Sequence, residues 1–421
     1  MKDILKIKGG TPLRGKVTVN GAKNAALPII AATLLTEEEV TLQNIPLLKD
    51  VSTMLEMISG LGKEIERVSE NSYKISENTQ NTKTRPELVR KMRASFLVLG
   101  PLLGKMKEAK IALPGGCSIG SRPIDLHLKG LTKLGVNVEQ KDGMIRAKTA
   151  GLKGNEIYLD YPSVGATEQL LMGGVIAKGK TIIHNAAREP EVMDLVDLLK
   201  KLGGRIEVKL SRIEIEGVEE LKGATHSIVS DRIEAGTYLL AGAASKGDVA
   251  ITDIDPDHLK SLIIKLKEAG LKIQESNKEI RVKYEGKLRS LDVKTFPYPG
   301  FPTDLQAPLT SLLINAEGKS MVRETVFDSR VDHIPELKKM GANISVEGSN
   351  TFFIKGADKL TGSVVEATDI RAGASLVIAG IMAEGETEIH HMHHLDRGYS
   401  NLESKLTELG AEVERIKVKD E

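Results

Sequence analysis

Six glycines set the period of this chain. Gly62, Gly135, Gly203, Gly270, Gly341 and Gly410 each follow an apolar residue at the end of a helical stretch and precede Ile or Val by three positions. Successive members lie 67 to 73 residues apart, so six copies of one unit of about 70 residues fill the 421-residue chain. The unit is too long for a common solenoid repeat. Its clearest copies begin at Ser163, Ser230, Pro302 and Thr368. Each opens on a short polar loop and continues with an Ala/Leu/Gly-rich helix, a Gly-marked turn and a short strand such as Lys180 to His184 or Val249 to Thr252. An amphipathic helix follows; in the third copy Leu195, Leu198, Leu199 and Leu202 form its stripe, Gly203 ends it, and Arg205 to Val208 reads as the next strand. The pattern predicts an α/β fold of six βαβαββ-like repeats, with one helix per repeat too apolar to face water and therefore buried inside sheets.

Charge and composition exclude several classes of function. Lys+Arg 59 against Asp+Glu 58 gives a net charge of +1, so no overall field favours nucleic acid or a membrane surface, and any anion site is local. Aromatic residues are 3% of the chain with no Trp, too few for base-stacking platforms. The start, MKDILKIKGG, lacks a signal-peptide core, and no segment approaches the ~20 apolar residues that span a bilayer, so a cytoplasmic protein is expected. A single cysteine forms no internal disulfide and makes a poor metal site. His390, His391, His393 and His394 read as part of a strand equivalent to those at His184 and Ile251, without a carboxylate or Cys cage, so no metal is expected. Neither GGTPLRGK nor GAKNAALP has the glycine spacing of a Walker or dinucleotide loop, and no cofactor is expected.

The scarce chemistry is concentrated in Leu113 to His127, LPGGCSIGSRPIDLH, where glycines around Cys117 leave backbone amides free and Arg122, fixed by Pro123, brings a guanidinium near the thiol. Elsewhere, Lys23 and Asn24 open the first buried helix, and Ser163 with the amides of Val164 and Gly165 opens the third, an arrangement suited to diphosphate. Taken alone, Asn24, Ser163 and Asp304 read as helix caps, Arg93 as a solvent-facing cation, and Asp369, Arg371 and Arg397 as surface ion-pair partners.

The Cys117 loop, together with GAKN (Gly21 to Asn24), SVGAT (Ser163 to Thr167), FPTDLQ (Phe301 to Gln306), DIR (Asp369 to Arg371) and DRGY (Asp396 to Tyr399), resembles the enolpyruvyl transferase family over essentially the whole chain. The resemblance implies a two-domain inside-out α/β barrel, three repeats to a domain: residues 22–229 carry the Cys117 loop, residues 230–421 plus 1–21 form the other domain, and the active site lies in the interdomain cleft. It implies addition followed by elimination, moving the enolpyruvyl group of phosphoenolpyruvate onto the 3-hydroxyl of UDP-N-acetylglucosamine with release of phosphate. Cys117, Asp304 and Asp369 are the implied catalytic residues. Lys23, Asn24, Arg122, Arg330, Arg371 and Arg397 are the implied phosphoenolpyruvate contacts. The UDP-sugar falls to Arg93, to Arg122, Pro123, Ile124, Asp125 and Leu126, to Ser163, Val164 and Gly165, and to Asp304 and Val326. Tyr161 stands where relatives often carry a basic residue, so the resemblance carries over no side-chain charge contact to the nucleotide there. The same resemblance implies a monomer acting in peptidoglycan synthesis, cell-wall biogenesis, cell shape, cell cycle and cell division, and a fosfomycin target. A transferase acting on 3-phosphoshikimate, or a non-catalytic UDP-sugar-binding paralogue, would share the fold.

Overall fold

In the computed structural model, which describes residues 2–115, 124–210, 212–327, 330–356 and 359–418, every signature glycine sits just past the end of an amphipathic helix. The helices are Lys49–Gly60, Asp125–Lys133, Pro190–Lys201, Lys260–Glu268, His333–Lys339 and Leu402–Glu408. The glycines that follow have φ of 115°, 89°, 101°, 94°, 97° and 92°. This is the left-handed region that stops a helix and that residues with a Cβ enter only with strain. The period is therefore one backbone requirement repeated six times.

The apolar helices are buried as their composition demands. They are Lys23–Ala32, Leu99–Met106, Val164–Gly174, Arg232–Ala244, Gln306–Leu313 and Ile370–Met382. All thirteen residues of Arg232–Ala244 and all eight of Gln306–Leu313 are buried. Short 3-10 turns, Arg93–Val98 and Thr303–Leu305, lead into the second and fifth.

The described residues form two compact units, one of 21–115 with 124–229 and one of 2–20 with 230–418. Each has its own apolar core. In the first unit one sheet runs in the order Ala224–Ser227, Val40–Gln43, Ser72–Ser76, Glu64–Ser69, and another Arg205–Val208, Arg212–Glu216, Lys180–His184, Glu156–Tyr158. The sheet of the second repeat has only three strands, Glu108–Ala112, Met144–Lys148 and Asn137–Lys141, because its leading strand shrinks to a bridge between Lys83 and Lys110. The second unit has three four-stranded sheets, and two of them are completed by the N-terminal segment. Arg14–Thr18 pairs parallel with Asp248–Thr252, and Lys2–Lys8 lies between Glu386–His390 and Glu412–Val418. The expected α/β fold is thus present, with two refinements. The repeats are not contiguous in sequence, since three sheets borrow a strand from elsewhere, and the strands of the described residues form six separate sheets, three to a unit.

Glycine also decides how the N-terminal segment docks. The Asp248 amide donates to the Leu13 carbonyl at 2.9 Å, and a Cβ on the preceding Gly247 would lie 2.0 Å from that oxygen. Gly410→Ala should therefore cost about 1 kcal/mol of unfolding free energy through φ alone, while Gly247→Ala, which must push the Leu13 backbone away, should cost more. Urea unfolding of both variants checks the ranking, and equal losses would mean that the segment docks loosely.

Candidate active site

The second unit places a carboxylate between two arginines. Asp304 lies in the turn that leads into Gln306–Leu313, and its Oδ1 is 2.9 Å from Arg330 Nη2 and 3.3 Å from Arg371 Nε. Arg371 Nη2 donates to Asp304 Oδ2 at 3.3 Å, and Arg371 Nη1 to the Tyr399 hydroxyl, also at 3.3 Å. The Tyr399 and Thr237 hydroxyls are 2.9 Å apart. Both guanidinium side chains are nearly buried, at 6% and 7% exposure. Burial alone would raise the Asp304 pKa, but Arg371 and then Arg330 outweigh it and hold the carboxyl well below the usual range. Asp304 is therefore held ionised, and it accepts a proton readily only once those cations are engaged elsewhere.

Asp369 is the N-cap of Ile370–Met382: its Oδ1 accepts from the amides of Arg371 at 2.7 Å and Ala372 at 3.2 Å. That cap aims Arg371 at Asp304, since the capped amide belongs to the arginine itself. Val326 follows a buried glutamate, Glu324, whose Oε1 accepts the Val326 amide at 2.7 Å, so only the Val326 carbonyl is left to offer a ligand.

The first unit carries cations at and before the starts of its buried helices. Lys23 is the first residue of its helix, 8% exposed, with its Nζ 3.6 Å from Asp50 Oδ2. Asn24 follows inside the helix; Ala22, not Asn24, occupies the cap position. Ser163 caps Val164–Gly174, accepting from the Ala166 amide at 3.4 Å. The Gly165 Cα lies so close to His127 that a Cβ there would be 2.9 Å from the imidazole Cε1. His127 packs edge-on against Phe96, and its Nδ1 has no partner among the described residues. Burial first, then the charge of Arg93 at the start of the neighbouring turn, lowers its pKa to about 4, so it is neutral at pH 7. Asp125 begins its helix after Ile124, with Leu126 next, and faces Lys129 at 3.8 Å.

Thus Asp304, Arg330 and Arg371 are one cluster in the second unit, and Asp369 joins it through the Arg371 amide. Cys117, Arg122 and Pro123 lie outside the described residues. Arg397 ends a short turn, Leu395–Arg397. The reading of the four histidines as strand residues needs correction: only His390 belongs to the strand, because His391 has a φ of 62° and turns the chain out of it. Burial, His393 and Arg397 together lower the His394 pKa to about 4. Two acids escaped the sequence reading. Glu168, wholly buried on the second turn of Val164–Gly174, has its pKa pushed well up by burial and then by Glu191 and Glu189. The signal was a lone charge in an otherwise apolar helix. The other is Glu324, which no pattern marked.

These features define the class: an α/β protein of two three-repeat units whose polar residues gather at the first turns of buried helices. Comparison with known proteins then fixes the family. The profile described as EPSP synthase (3-phosphoshikimate 1-carboxyvinyltransferase) matches residues 7–406. UDP-N-acetylglucosamine 1-carboxyvinyltransferase 1 of Caldanaerobacter subterraneus subsp. tengcongensis is 50% identical over 416 residues, covering 99% of this chain and 100% of the relative. The UDP-N-acetylglucosamine 1-carboxyvinyltransferase of Halothermothrix orenii is 50% identical over 414 residues, 98% and 99% of the two chains. Among solved structures, the enolpyruvyl transferase NikO from Streptomyces tendae has a TM-score of 0.89 at 24% identity, covering 99% of this chain and 100% of its own, which establishes the fold. The chain belongs to the enolpyruvyl transferase family, as an enzyme of the branch that its half-identical relatives represent.

The neutral state of His127 has a consequence for stability. Its folded pKa of about 4 lies below the ordinary 6.5, so its contribution is complete above pH 6.5 and is lost as pH falls from there through about 4. His127→Asn keeps a polar side chain that does not protonate, and it should lessen this acid loss without abolishing it, since His333 and His394 are also depressed, to about 3 and about 4. Urea midpoints between pH 7.5 and 4 read the difference; parallel pH curves for parent and variant would mean that His127 is not held neutral by the fold.

Proposed function

We propose that the residues at the first turns of the buried helices serve one reaction, the transfer of the enolpyruvyl group of phosphoenolpyruvate to the 3-hydroxyl of UDP-N-acetylglucosamine with release of phosphate. The observation that carries this reading is the Asp304 carboxylate held between Arg330 and Arg371, in a chain half identical end to end to relatives named for that activity.

The chemistry follows from the charges. Adding an alcohol to C2 of the enol requires one group to take the hydroxyl proton and another to protonate C3. Asp304 is the base in this reading. Phosphoenolpyruvate brings a carboxylate that competes for Arg330 and Arg371, and as those cations turn to it the Asp304 pKa rises from its depressed value toward one useful for proton transfer. Binding of one substrate thereby readies the base for the other. Cys117 is the acid that protonates C3, and Asp369 serves proton movement during elimination. Lys23, Arg122 and Arg397 hold the phosphate, with Asn24 beside Lys23. The nucleotide diphosphate lies on Ser163 and the amides of Val164 and Gly165, near Arg93. The segment from Arg122 through Pro123 to Leu126 contacts the UDP-sugar. The Val326 carbonyl takes a hydrogen bond from the sugar. Residues 22–229 and 230–421 with 1–21 act as the two domains that share these substrates. The protein works as a cytoplasmic monomer in peptidoglycan synthesis, and so in cell-wall biogenesis, cell shape, cell cycle and division.

The specificity is tested by phosphate release from phosphoenolpyruvate with each of two acceptors. Turnover is expected with UDP-N-acetylglucosamine and not with 3-phosphoshikimate; the reverse preference, or release with neither, overturns the reading. The acid is tested by exchange of Cys117. Cys117→Asp should retain turnover, with activity falling at lower pH than in the parent as pH rises, since ordinary pKa values are about 3.9 for Asp and about 8.5 for Cys. It should also resist fosfomycin, a phosphonate epoxide that a thiolate opens. Cys117→Ser, with a far weaker acid, should lose most activity. A fully active Ser variant would remove Cys117 from the mechanism.

A further inference from the structure

Glu324 is completely buried, yet no cation among the described residues bonds to it. Its carboxylate is held by four neutral donors instead. Oε1 accepts from the Thr295 hydroxyl at 2.7 Å, from the Val326 amide at 2.7 Å and from the Phe327 amide at 3.2 Å. Oε2 accepts from the Thr303 hydroxyl at 2.8 Å. Thr303 Oγ1 is in turn the acceptor for Arg330 Nη1 at 2.9 Å, and Arg330 Nη2 reaches Asp304 at 2.9 Å.

The direction of these bonds is forced. Arg330 has only hydrogens to give, so Thr303 must receive there with a lone pair and can give its single proton only to Glu324. At Oε1 the partners are two N–H groups and a hydroxyl, so that oxygen too must accept. Both oxygens of residue 324 are therefore acceptors, which a carboxylate satisfies and an amide does not. Thr303 adjoins Asp304 in the same turn, and Val326 and Phe327 follow Glu324 in the next loop. One side chain thus ties the acid–base cluster to the loop that presents Val326.

We propose that Glu324 is a positioning residue for the transferase reaction: through Thr303 it sets the Arg330 guanidinium against Asp304, and through the Val326 and Phe327 amides it turns the Val326 carbonyl outward for the acceptor sugar. This rests on the assignment of Asp304, Arg330 and Val326 made above. The two arms of the carboxylate make separable demands. The Thr303 arm serves Arg330, and hence the phosphoenolpyruvate carboxylate. The amide arm serves the Val326 loop, and hence the UDP-sugar.

Two substitutions separate the arms. Thr303→Val replaces the hydroxyl with a methyl of the same size and leaves the amide arm intact. It should lower kcat and raise KM for phosphoenolpyruvate, each by about tenfold or more, since a buried Arg N–H loses its acceptor, with little change in KM for UDP-N-acetylglucosamine. Thr303→Ser, which restores the hydroxyl, should recover most of the loss. Glu324→Gln must present its NH₂ either to Thr303 or to the backbone amides, and should raise KM for both substrates. A structural role alone would lower the melting temperature and affect both substrates together in all variants. Equal KM effects for both substrates in Thr303→Val, or failure of Thr303→Ser to recover, overturns the proposal. A readout without substrate separates it from the functional reading. In NMR of the ligand-free protein, the Arg330 guanidinium should rotate and exchange faster in Thr303→Val than in the parent, while Arg371 is unchanged. Unchanged Arg330 signals would overturn the positioning role even in an active enzyme, whereas failure of the parent to turn over UDP-N-acetylglucosamine would overturn only the substrate assignment.

Discussion

A buried helix still has first-turn N–H groups that need partners, and six largely buried helices shape where polar chemistry can sit in this protein. Asp231 and Asp369 each cap one by accepting two amides on a single oxygen, and Ser163 caps a third. The first turns also carry Lys23, Arg232 and Arg371, with Arg93 in the 3-10 turn before the second helix and Thr303 and Asp304 in the one before the fifth. The helix bodies carry little charge, and where one is buried, as at Glu168, burial forces it toward its neutral form. The candidate residues thus follow from the fold: the first turns of the buried helices are places where burying polar groups is compensated by hydrogen bonds.

Within that constraint, Asp304 shows which electrostatic effect wins. Desolvation is the largest single influence on it and favours the neutral acid, yet two guanidinium groups at about 3 Å reverse the outcome. A buried carboxylate with one arginine would be a weaker contest, and removing the carboxylate would leave two cations side by side in a low-dielectric setting, the costly case. Asp369 caps the Arg371 amide and the Thr303 hydroxyl accepts from Arg330, so both cations of the Asp304 clamp are also held by groups other than its carboxylate.

The glycine period was legible because it reflects a backbone conformation that few other residues adopt, and the buried helices were legible because nothing but burial explains runs such as IEAGTYLLAGAA. The borrowed strands were not. Lys2–Lys8 and Arg14–Thr18 alternate like any edge strand, and pairing partners some 230 to 410 residues away leave no local mark. The charged site residues were found through the motif resemblance and not through periodicity, since a capping Asp and a catalytic Asp look alike in sequence. Asp369 in fact caps. Glu324 was invisible because its role lies in the direction of its hydrogen bonds, which depends on Thr295 and Thr303 arriving from other elements. The histidine run was misplaced because strand propensity continues past His390, where a single positive φ ends it.

The two units treat their cations in one way, and this reconciles a net charge of +1 with doubly anionic substrates. Lys23 is kept beside Asp50, as Arg330 and Arg371 are kept beside Asp304. Without those carboxylates the buried cations would be costly and the empty site unstable. With them, the proposed binding of phosphoenolpyruvate becomes an exchange of one anion for another, in which much of the desolvation of the cations has already occurred on folding. The exchange is unequal on the two sides. Asp50, displaced from Lys23, has no proposed chemistry, whereas Asp304, relieved of its arginines, becomes a stronger base next to the hydroxyl it is proposed to deprotonate. In the proposed mechanism the same internal ion pair that makes the ligand-free fold tolerable also restrains the base until the anionic substrate arrives.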